Sequence, residues 1–323
     1  MPRSRFFTFD DPHQFQSAIR AGDYEILAKS RGGFDVELTR IDLDRLWMQS
    51  SRSGSSYIMH AANDPRRVPV LFLADAEQPP VRHNGIELSA QDLVIYRQGA
   101  TNHVWLEGIN SVASMSLTPE DLAEAGTAIV GHELVAPRET RIVRPAPALM
   151  ARLRTLHKAA CRFAKHTPEA LTHPATAKAL EQELVRAMVA CLADPPPKSG
   201  LRGGYHFQVI GRFENFLAAR QYEPVYLAEI CAAIGVSERT LRSCCQEHLG
   251  MGPIHYLWLR RMHLARSSLL RADSAVKTVT EIATAHGFWE LGRFSVEYRA
   301  LFGESPSATL KRDREVSSRQ KAH

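Results

Sequence analysis

A near-repeat in the last third of the chain constrains its fold more than any other feature. Leu227-Ala228-Glu229-Ile230-Cys231-Ala232-Ala233-Ile234-Gly235-Val236 is matched 52 residues further on by Val279-Thr280-Glu281-Ile282-Ala283-Thr284-Ala285-His286-Gly287-Phe288. Each segment reads as a short helix closed by an x-Gly-apolar turn and followed by a second helix. Small residues let two helices cross closely, glycine permits φ > 0 at the turn, and the next apolar residue anchors the second helix to the first. This is a helix-turn-helix, present twice. After Ser237, a good N-cap, Leu241 and Cys245 face inward and leave Glu238, Arg239, Arg242 and Gln246 outside. In the second unit Thr278 and Glu281 suit a capping box, and Phe294, Tyr298 and Leu301 supply the buried stripe. Tyr226 stands where Thr278 does, so the first cap is made differently. Ile254, Leu257, Leu264 and Leu269 are spaced along one long helix opened by Pro253, which holds the two units apart.

At 323 residues the chain exceeds one core and divides into domains. Its net charge of +5 is unevenly spread: residues 1–145 carry −4, residues 146–204 carry +5 and residues 205–323 carry +4. The basic excess lies in the C-terminal half, as a polyanion-binding part requires, though a margin this small decides nothing alone. No apolar run approaches the roughly 20 residues that span a bilayer, and the N-terminus has no signal-peptide core. A cytoplasmic location without membrane contact is the expectation. The five cysteines, Cys161, Cys191, Cys231, Cys244 and Cys245, show no C-x-x-C spacing and read as small buried apolar residues. A redox role for Cys244-Cys245 is the weaker alternative.

Three prolines and several glycines between Asp194 and Gly204 mark a linker at 195–204. From Val36 to about Leu117 the chain reads as strands, with Asn84-Gly85 and Gly108 among the turn-formers. Leu149, Leu153, Leu156, Ala160 and Phe163, then Leu180, Leu184, Met188 and Leu192, recur at helical spacing. Thr167-Pro168 interrupts them and Pro174 opens the second helix. This hairpin is either core or a dimer face.

The segment from about Leu227 to Leu310 resembles the DNA-binding domain of the AraC/XylS family of bacterial transcription regulators. The resemblance rests on Ile230 with Gly235-Val236-Ser237, Thr240-Leu241, Leu249-Gly250, Pro253, and Tyr256-Leu257. It continues through Arg260-Arg261-Met262, Ala265-Arg266, Glu281-Ile282-Ala283, Gly287-Phe288, Phe294, and Phe302-Gly303-Glu304-Ser305-Pro306-Ser307. It implies two adjacent major-groove segments read by one protomer, about one helical turn apart. Ser237, Glu238, Arg239, Thr240, Arg242, Ser243 and Gln246 become the DNA-contact candidates of the first unit. Trp289, Glu290, Gly292 and Arg293 are those of the second. The family often has Arg where this chain has Ser243 and Val296, and neither residue can make a bidentate contact to guanine. The first unit is therefore expected to supply most of the sequence discrimination, and the second mainly phosphate and apolar contacts. Arg260, Arg261 and Arg266 either touch phosphate or are solvated or paired with Glu, and Trp258 reads as core.

The strand-rich N-terminal region resembles the cupin-type sensor barrel of that family, through Gln91-Asp92-Leu93-Val94-Ile95-Tyr96 and Gly99 to His103. His60, His83 and His103 are scattered and form no H-x-H, so no metal, cofactor or catalytic residue is expected. Trp47, Tyr57, Tyr96 and Trp105 are candidate lining residues of an inducer pocket; the alternative is a filled barrel that only dimerises. The expected fold is α+β: an N-terminal β-rich cupin-like barrel with a helical hairpin, then an all-α domain of two helix-turn-helix units joined by a long helix. The expected division is a sensor domain over 1–144, a helical dimerisation or linking segment over 145–194, the linker at 195–204, a DNA-binding domain over 205–315 and a disordered tail at 316–323. The expected function is a sequence-specific transcription regulator, an activator responsive to a small-molecule inducer and not an enzyme. Its expected partners are double-stranded promoter DNA, the inducer, a second copy of the chain, and RNA polymerase as a further candidate. Two alternatives stand beside it: a metal-dependent cupin enzyme with a DNA-binding appendage, and a ligand-independent DNA-binding scaffold.

Overall fold

Between Val36 and Leu117 short runs of β-branched and aromatic residues, broken by turn-formers, leave the chain little choice but antiparallel strands. The computed structural model describes residues 3–29, 33–194, 204–220 and 225–311. The expected linker at 195–204, apart from Gly204, and the expected tail at 316–323 lie outside them. The chain forms two compact units, residues 1–25 with 35–204, and residues 26–34 with 205–323.

The strands are β1 (Arg3–Phe9), β2 (Gly22–Ala28, whose last three residues fall in the second unit), β3 (Val36–Asp42), β4 (Trp47–Ser53), β5 (Tyr57–Asn63) and β6 (Val68–Leu73). They are followed by β7 (Val81–His83), β8 (Ile86–Leu88), β9 (Leu93–Ile95), β10 (Thr101–Leu106), β11 (Asn110–Leu117) and β12 (Arg141–Val143). One sheet has the order β1-β3-β4-β11-β6-β9-β12, the other β2-β5-β10-β7-β8. Asn84 at φ 48° and Gly85 at φ 79° turn the chain between β7 and β8, where His83 pairs with Ile86. Two consecutive left-handed residues give the turn whose twist matches a hairpin, and Asn-Gly tolerates them best.

Helices α2 (Pro119–Val130), α3 (Pro147–His166) and α4 (Pro174–Ala193) share a core with the longer sheet. Phe72, Leu93 and Met115 from the strands meet Met150, Leu153, Leu184 and Met188 from the helices, all nearly fully buried. Each such side chain stabilises the unit by about 1.5–3 kcal/mol relative to exposure. A polar clasp adds to this: Oε1 of the buried Glu181 on α4 accepts from the amides of Arg45 and Leu46 at 2.7 and 2.9 Å. The buried stripe of α3 is Met150, Leu153, His157, Ala160 and Ala164. Of the expected stripe, Leu153 and Ala160 are buried, Leu149 and Leu156 are half-buried and pack against the same core, and Phe163 is 48% exposed. Both stripes have helical spacing, and the angle at which α3 meets the sheet and α4 selects between them. Apart from Phe163 and several alanines, the outward residues of the pair are polar, including Arg152, Thr155, Lys158 and Arg162 on α3 and Lys178, Gln182 and Arg186 on α4.

The strands expected from Val36 onward are preceded by β1, β2 and α1 (Pro12–Ala18). Helix α2, for which no expectation was stated, is capped by Thr118, which accepts from the Asp121 amide at 3.1 Å. The histidines are less scattered than expected: His60 and His103 are cross-strand partners whose rings stack at 4.6 Å. The cysteines are all free, and burial pushes the Cys244 thiol up to about 11 and that of Cys245 higher still, which leaves neither reactive.

The second unit is helical beyond residue 204: α5 (Tyr205–Ala219), α6 (Leu227–Ile234), α7 (Glu238–Leu249), α8 (Pro253–Arg271), α9 (Val279–Ala285) and α10 (Leu291–Phe302). The buried face of α8 runs through Tyr256, Leu259, Met262, Ala265 and Leu269. Ile254, at its start, is 64% exposed, and Trp258, expected in the core, is half-buried. Arg266 is structural: it is buried, and its Nη1 donates to Glu304 Oε1 at 2.8 Å and to the Tyr298 hydroxyl at 3.2 Å. Arg260 is buried as well, whereas Arg261 lies over the Phe288 ring.

Candidate nucleic-acid interface and interior cavity

The two helix-turn-helix units close by the same backbone device. The Val236 amide donates to Cys231 O at 3.0 Å, and the Phe288 amide donates to Ala283 O at 3.0 Å. Gly235 and Gly287, at φ 69° and 78°, make these bonds reachable, and a side chain there would strain the turn. Beyond the turns the repeat slips by one residue. Leu241, Cys245 and the closing Gly250 correspond to Phe294, Tyr298 and Gly303, 53 positions on. The extra residue in the second turn is Trp289, which is 78% exposed.

In the first unit Ser237 Oγ accepts the Thr240 amide at 3.1 Å and so fixes the start of α7. Leu241, Cys244, Cys245, His248 and Leu249 are buried. Glu238, Arg239, Arg242, Ser243 and Gln246 form an exposed face, and Thr240 is half-buried against Ser237. At the N-cap of α6, Tyr226 makes no side-chain cap. In the second unit Thr278 and Glu281 form both bonds of a capping box, and these bonds hold the Glu281 carboxyl below its usual range. Phe288, Phe294, Tyr298 and Leu301 are buried, and Glu290, Gly292 and Arg293 are exposed at the start of α10 beside Trp289. Arg293 Nε donates to Glu297 Oε1 at 2.8 Å.

Arg242 of α7 and Arg293 and Val296 of α10 border one groove, with Ile254, His255 and Trp258 of α8 between them. Two exposed apolar side chains, Ile254 and Val296 (71% exposed), therefore flank the arginines of both second helices.

The first unit encloses a cavity of about 80 Å³ between its two sheets. Three of the four expected lining residues, Trp47, Tyr57 and Tyr96, border it. Trp105 does not: it alternates with Val104 and Leu106, which do, and Arg82 lies over its ring at 5.2 Å on the other face of β10. Two guanidinium groups lie over the Trp47 ring, Arg67 at 4.0 Å and Arg20 at 5.2 Å from its centre. Arg20 and Arg40, which also border the cavity, share the carboxylate of Asp42 at 3.5 and 3.7 Å. The strand alternation that exposed apolar lining positions would also have given Arg40 and Asp42, at i+2 and i+4 from Leu38 on β3.

A sequence profile described as "Helix-turn-helix domain" matches residues 230–312. The chain is 36% identical over 152 residues to the probable thc operon regulatory protein of Rhodococcus erythropolis, covering 45% of this chain and 44% of that one. It is 31% identical over 99 residues to the XylDLEGF operon transcriptional activator 2 of Pseudomonas putida, covering 31% and 63%. These matches span less than two thirds of either relative. Among solved structures, the AraC-like transcriptional activator CuxR aligns over 82% of this chain and 94% of its own at 14% identity and a TM-score of 0.42. The paired units with their matching turn bonds, the profile and the named relatives together identify the C-terminal part of this chain as a helix-turn-helix domain of the AraC/XylS family of transcription regulators.

Proposed function

We propose that the protein is a sequence-specific DNA-binding transcription regulator, an activator whose first unit receives a small-molecule inducer in its interior cavity. The observation that carries this reading is the pair of helix-turn-helix units with exposed arginines at the start of both second helices. Helices of this kind enter neighbouring major grooves, where an arginine can read guanine and the phosphates are within reach. Ser237, Glu238, Arg239, Thr240, Arg242, Ser243 and Gln246 are the proposed contacts of the first unit, and Trp289, Glu290, Gly292 and Arg293 those of the second. Trp47, Tyr57 and Tyr96 are the proposed lining of the inducer site. The 1–144 sensor and 205–315 DNA-binding division, with the intervening 145–194 hairpin, belongs to the same proposal.

The reading is non-catalytic and places the protein in the cytoplasm at bacterial promoters, with RNA polymerase as a further partner. Among the described residues no helix is long and apolar enough to cross a membrane. A homodimer on paired half-sites is part of the proposal, because protein symmetry is mirrored in repeated operators. The polar outward faces of α3 and α4 argue against that hairpin as the contact between copies. The test is selection of duplexes from a random pool by the full chain, followed by anisotropy titrations at two salt concentrations. A specific regulator binds the selected duplex at least 10³-fold tighter than random DNA. Equal affinity for both would overturn the reading.

A further inference from the structure

The cavity of the first unit has a direction, and it is visible in the register of both sheets. In the longer sheet Leu38, Ser51 and Val112 lie in one cross-strand row, then Arg40 with Gln49 and Ser114, then Asp42 with Trp47 and Ser116. In the shorter sheet Tyr57 pairs with Leu106 and Met59 with Val104, then Ala61 with Asn102, and Asn63 ends β5. Each sheet thus runs from an apolar end to a polar end. The segment before β2 joins the two polar ends. The Arg20 amide donates to Gln49 Oε1 at 3.2 Å, and Ala21 O accepts from the Asp64 amide at 2.9 Å.

The polar end is short of acceptors. Arg40 Nε, Asn63 Nδ2 and Asn102 Nδ2 are buried donors without a hydrogen-bond partner, and all three residues border the cavity. A buried donor without an acceptor costs about 1–3 kcal/mol in general, so three at one end favour an occupant that brings oxygens. The charge is unbalanced in the same sense: among the described residues, the carboxylate of Asp42 faces both Arg20 and Arg40. Burial and the neighbouring Arg20 hold the Arg40 guanidinium below its usual range, while Asp42 acts in the opposite sense. The volume of about 80 Å³ is below the roughly 150 Å³ of an apolar cavity that admits benzene, so the apolar body is compact.

We propose that this cavity binds a small monocarboxylic acid, its carboxylate against Arg40, Asn63 and Asn102 and its apolar body toward Leu38, Val104 and Leu106. The inference rests on the reading of the first unit as the inducer-binding part and names the chemical class of the inducer. A cation is excluded by the arginines. A neutral alcohol satisfies the donors but leaves the charge uncompensated.

The test is calorimetric titration of the full chain at neutral pH with propionate, 1-propanol, propylamine and hexanoate. Propionate is expected to bind at least tenfold tighter than 1-propanol and tighter than hexanoate, with no binding of propylamine. Arg40→Gln should weaken propionate at least tenfold and leave 1-propanol unchanged. Because Arg40 also donates to Ala18 O at 2.8 Å, that variant can fail to fold. Asn102→Asp then sets a like charge at the same end and should weaken propionate by the same factor. No binding of propionate, equal binding of propionate and 1-propanol, or undiminished binding in the folded variants would each overturn the proposal. Anisotropy with a duplex selected by the wild type separates the two readings. Intact DNA binding with no acid bound overturns only the inducer class, whereas acid binding without DNA binding overturns only the regulator.

Discussion

The indole Nε1 of Trp258 on α8 donates to Oε2 of Glu297 on α10 at 2.9 Å, and Oε1 of the same carboxylate accepts from Arg293. One glutamate therefore ties the helix between the two helix-turn-helix units to the arginine that opens the second recognition helix. The bond explains why Trp258 sits half-buried, since a fully buried indole would lose this exposed acceptor.

Trp258→Phe keeps the ring and removes the donor. Glu297 retains its pairing with Arg293, so only one hydrogen bond is lost, and the expected cost is about 1 kcal/mol. Urea unfolding of the full chain measures it. A cost near zero would mean that the bond contributes nothing beyond solvation of the indole.

A larger effect is expected at Arg266. Arg266 is 3% exposed, and Glu304, Tyr298 and Thr309 are among the groups that hydrogen-bond its guanidinium. Glu304→Ala removes a carboxylate partner of this buried cation and should cost about 3–5 kcal/mol. Arg266→Met combined with Glu304→Leu removes both charges together and should recover most of that loss. If the double variant is no more stable than Glu304→Ala, the cluster is held by packing and not by charge compensation.

The second half of the chain was legible in outline because its signals are local. An αL glycine, the apolar residue after it and an N-cap each act within a few residues, so both turns could be read from 227–236 and 279–288. What could not be read was a choice between two equally periodic faces. On α8 the stripe through Ile254 and the stripe through Tyr256 both repeat at helical spacing, and only the orientation of α8 against α5 and α7 selects the second. On α3 the same ambiguity left Phe163 outside and put Ala164 in the core. In the first unit the aromatic lining was found by residue type, which gave Trp47, Tyr57 and Tyr96 but also Trp105 on the wrong face. The polar end formed by Arg40, Asn63 and Asn102 depends on strand register across long separations in sequence, and no local signal reports it.

Two buried histidines give the first unit an acid-sensitive stability. His83 on β7 and His157 on α3 are almost fully buried, and desolvation lowers their pKa values to about 3 and about 4. Below the unfolded value of about 6.5 the unfolded chain takes up protons that the folded chain refuses. Stability contributed by each neutral imidazole is therefore complete above about pH 6.5 and is lost as pH falls toward the folded value. The slope is about 1.4 kcal/mol per pH unit for each group. His157→Leu should flatten the loss between pH 6 and pH 4.5 by about that slope relative to wild type, as read from urea unfolding at several pH values. Parallel curves for wild type and variant would show that His157 is already protonated in the folded protein.

On the proposed reading, the one-residue slip between the two units sets their division of labour on DNA. Counting 53 positions on, Arg239 corresponds to Gly292 and Arg242 to Ser295, whose hydroxyl donates to Leu291 O at 2.9 Å. The first recognition helix thus presents two exposed arginines where the second presents neither, and the arginine that the second does carry, Arg293, is paired with Glu297. A bidentate arginine–guanine contact supplies about 1–3 kcal/mol of discrimination. Arg242→Ala should therefore weaken the selected duplex far more than random DNA. Arg293→Ala should weaken all sequences alike and flatten the salt dependence by about one unit, the signature of a lost phosphate contact. Val296 is 71% exposed, so Val296→Ala should leave stability within about 0.5 kcal/mol and sequence preference unchanged. The measurement is binding-site selection with wild type, Arg239→Ala, Arg242→Ala and Arg293→Ala, followed by titrations at two salt concentrations. If Arg293→Ala relaxes sequence preference while both first-helix variants only scale affinity, the second unit is the reader and the slip has moved Arg293 into the position that reads the base.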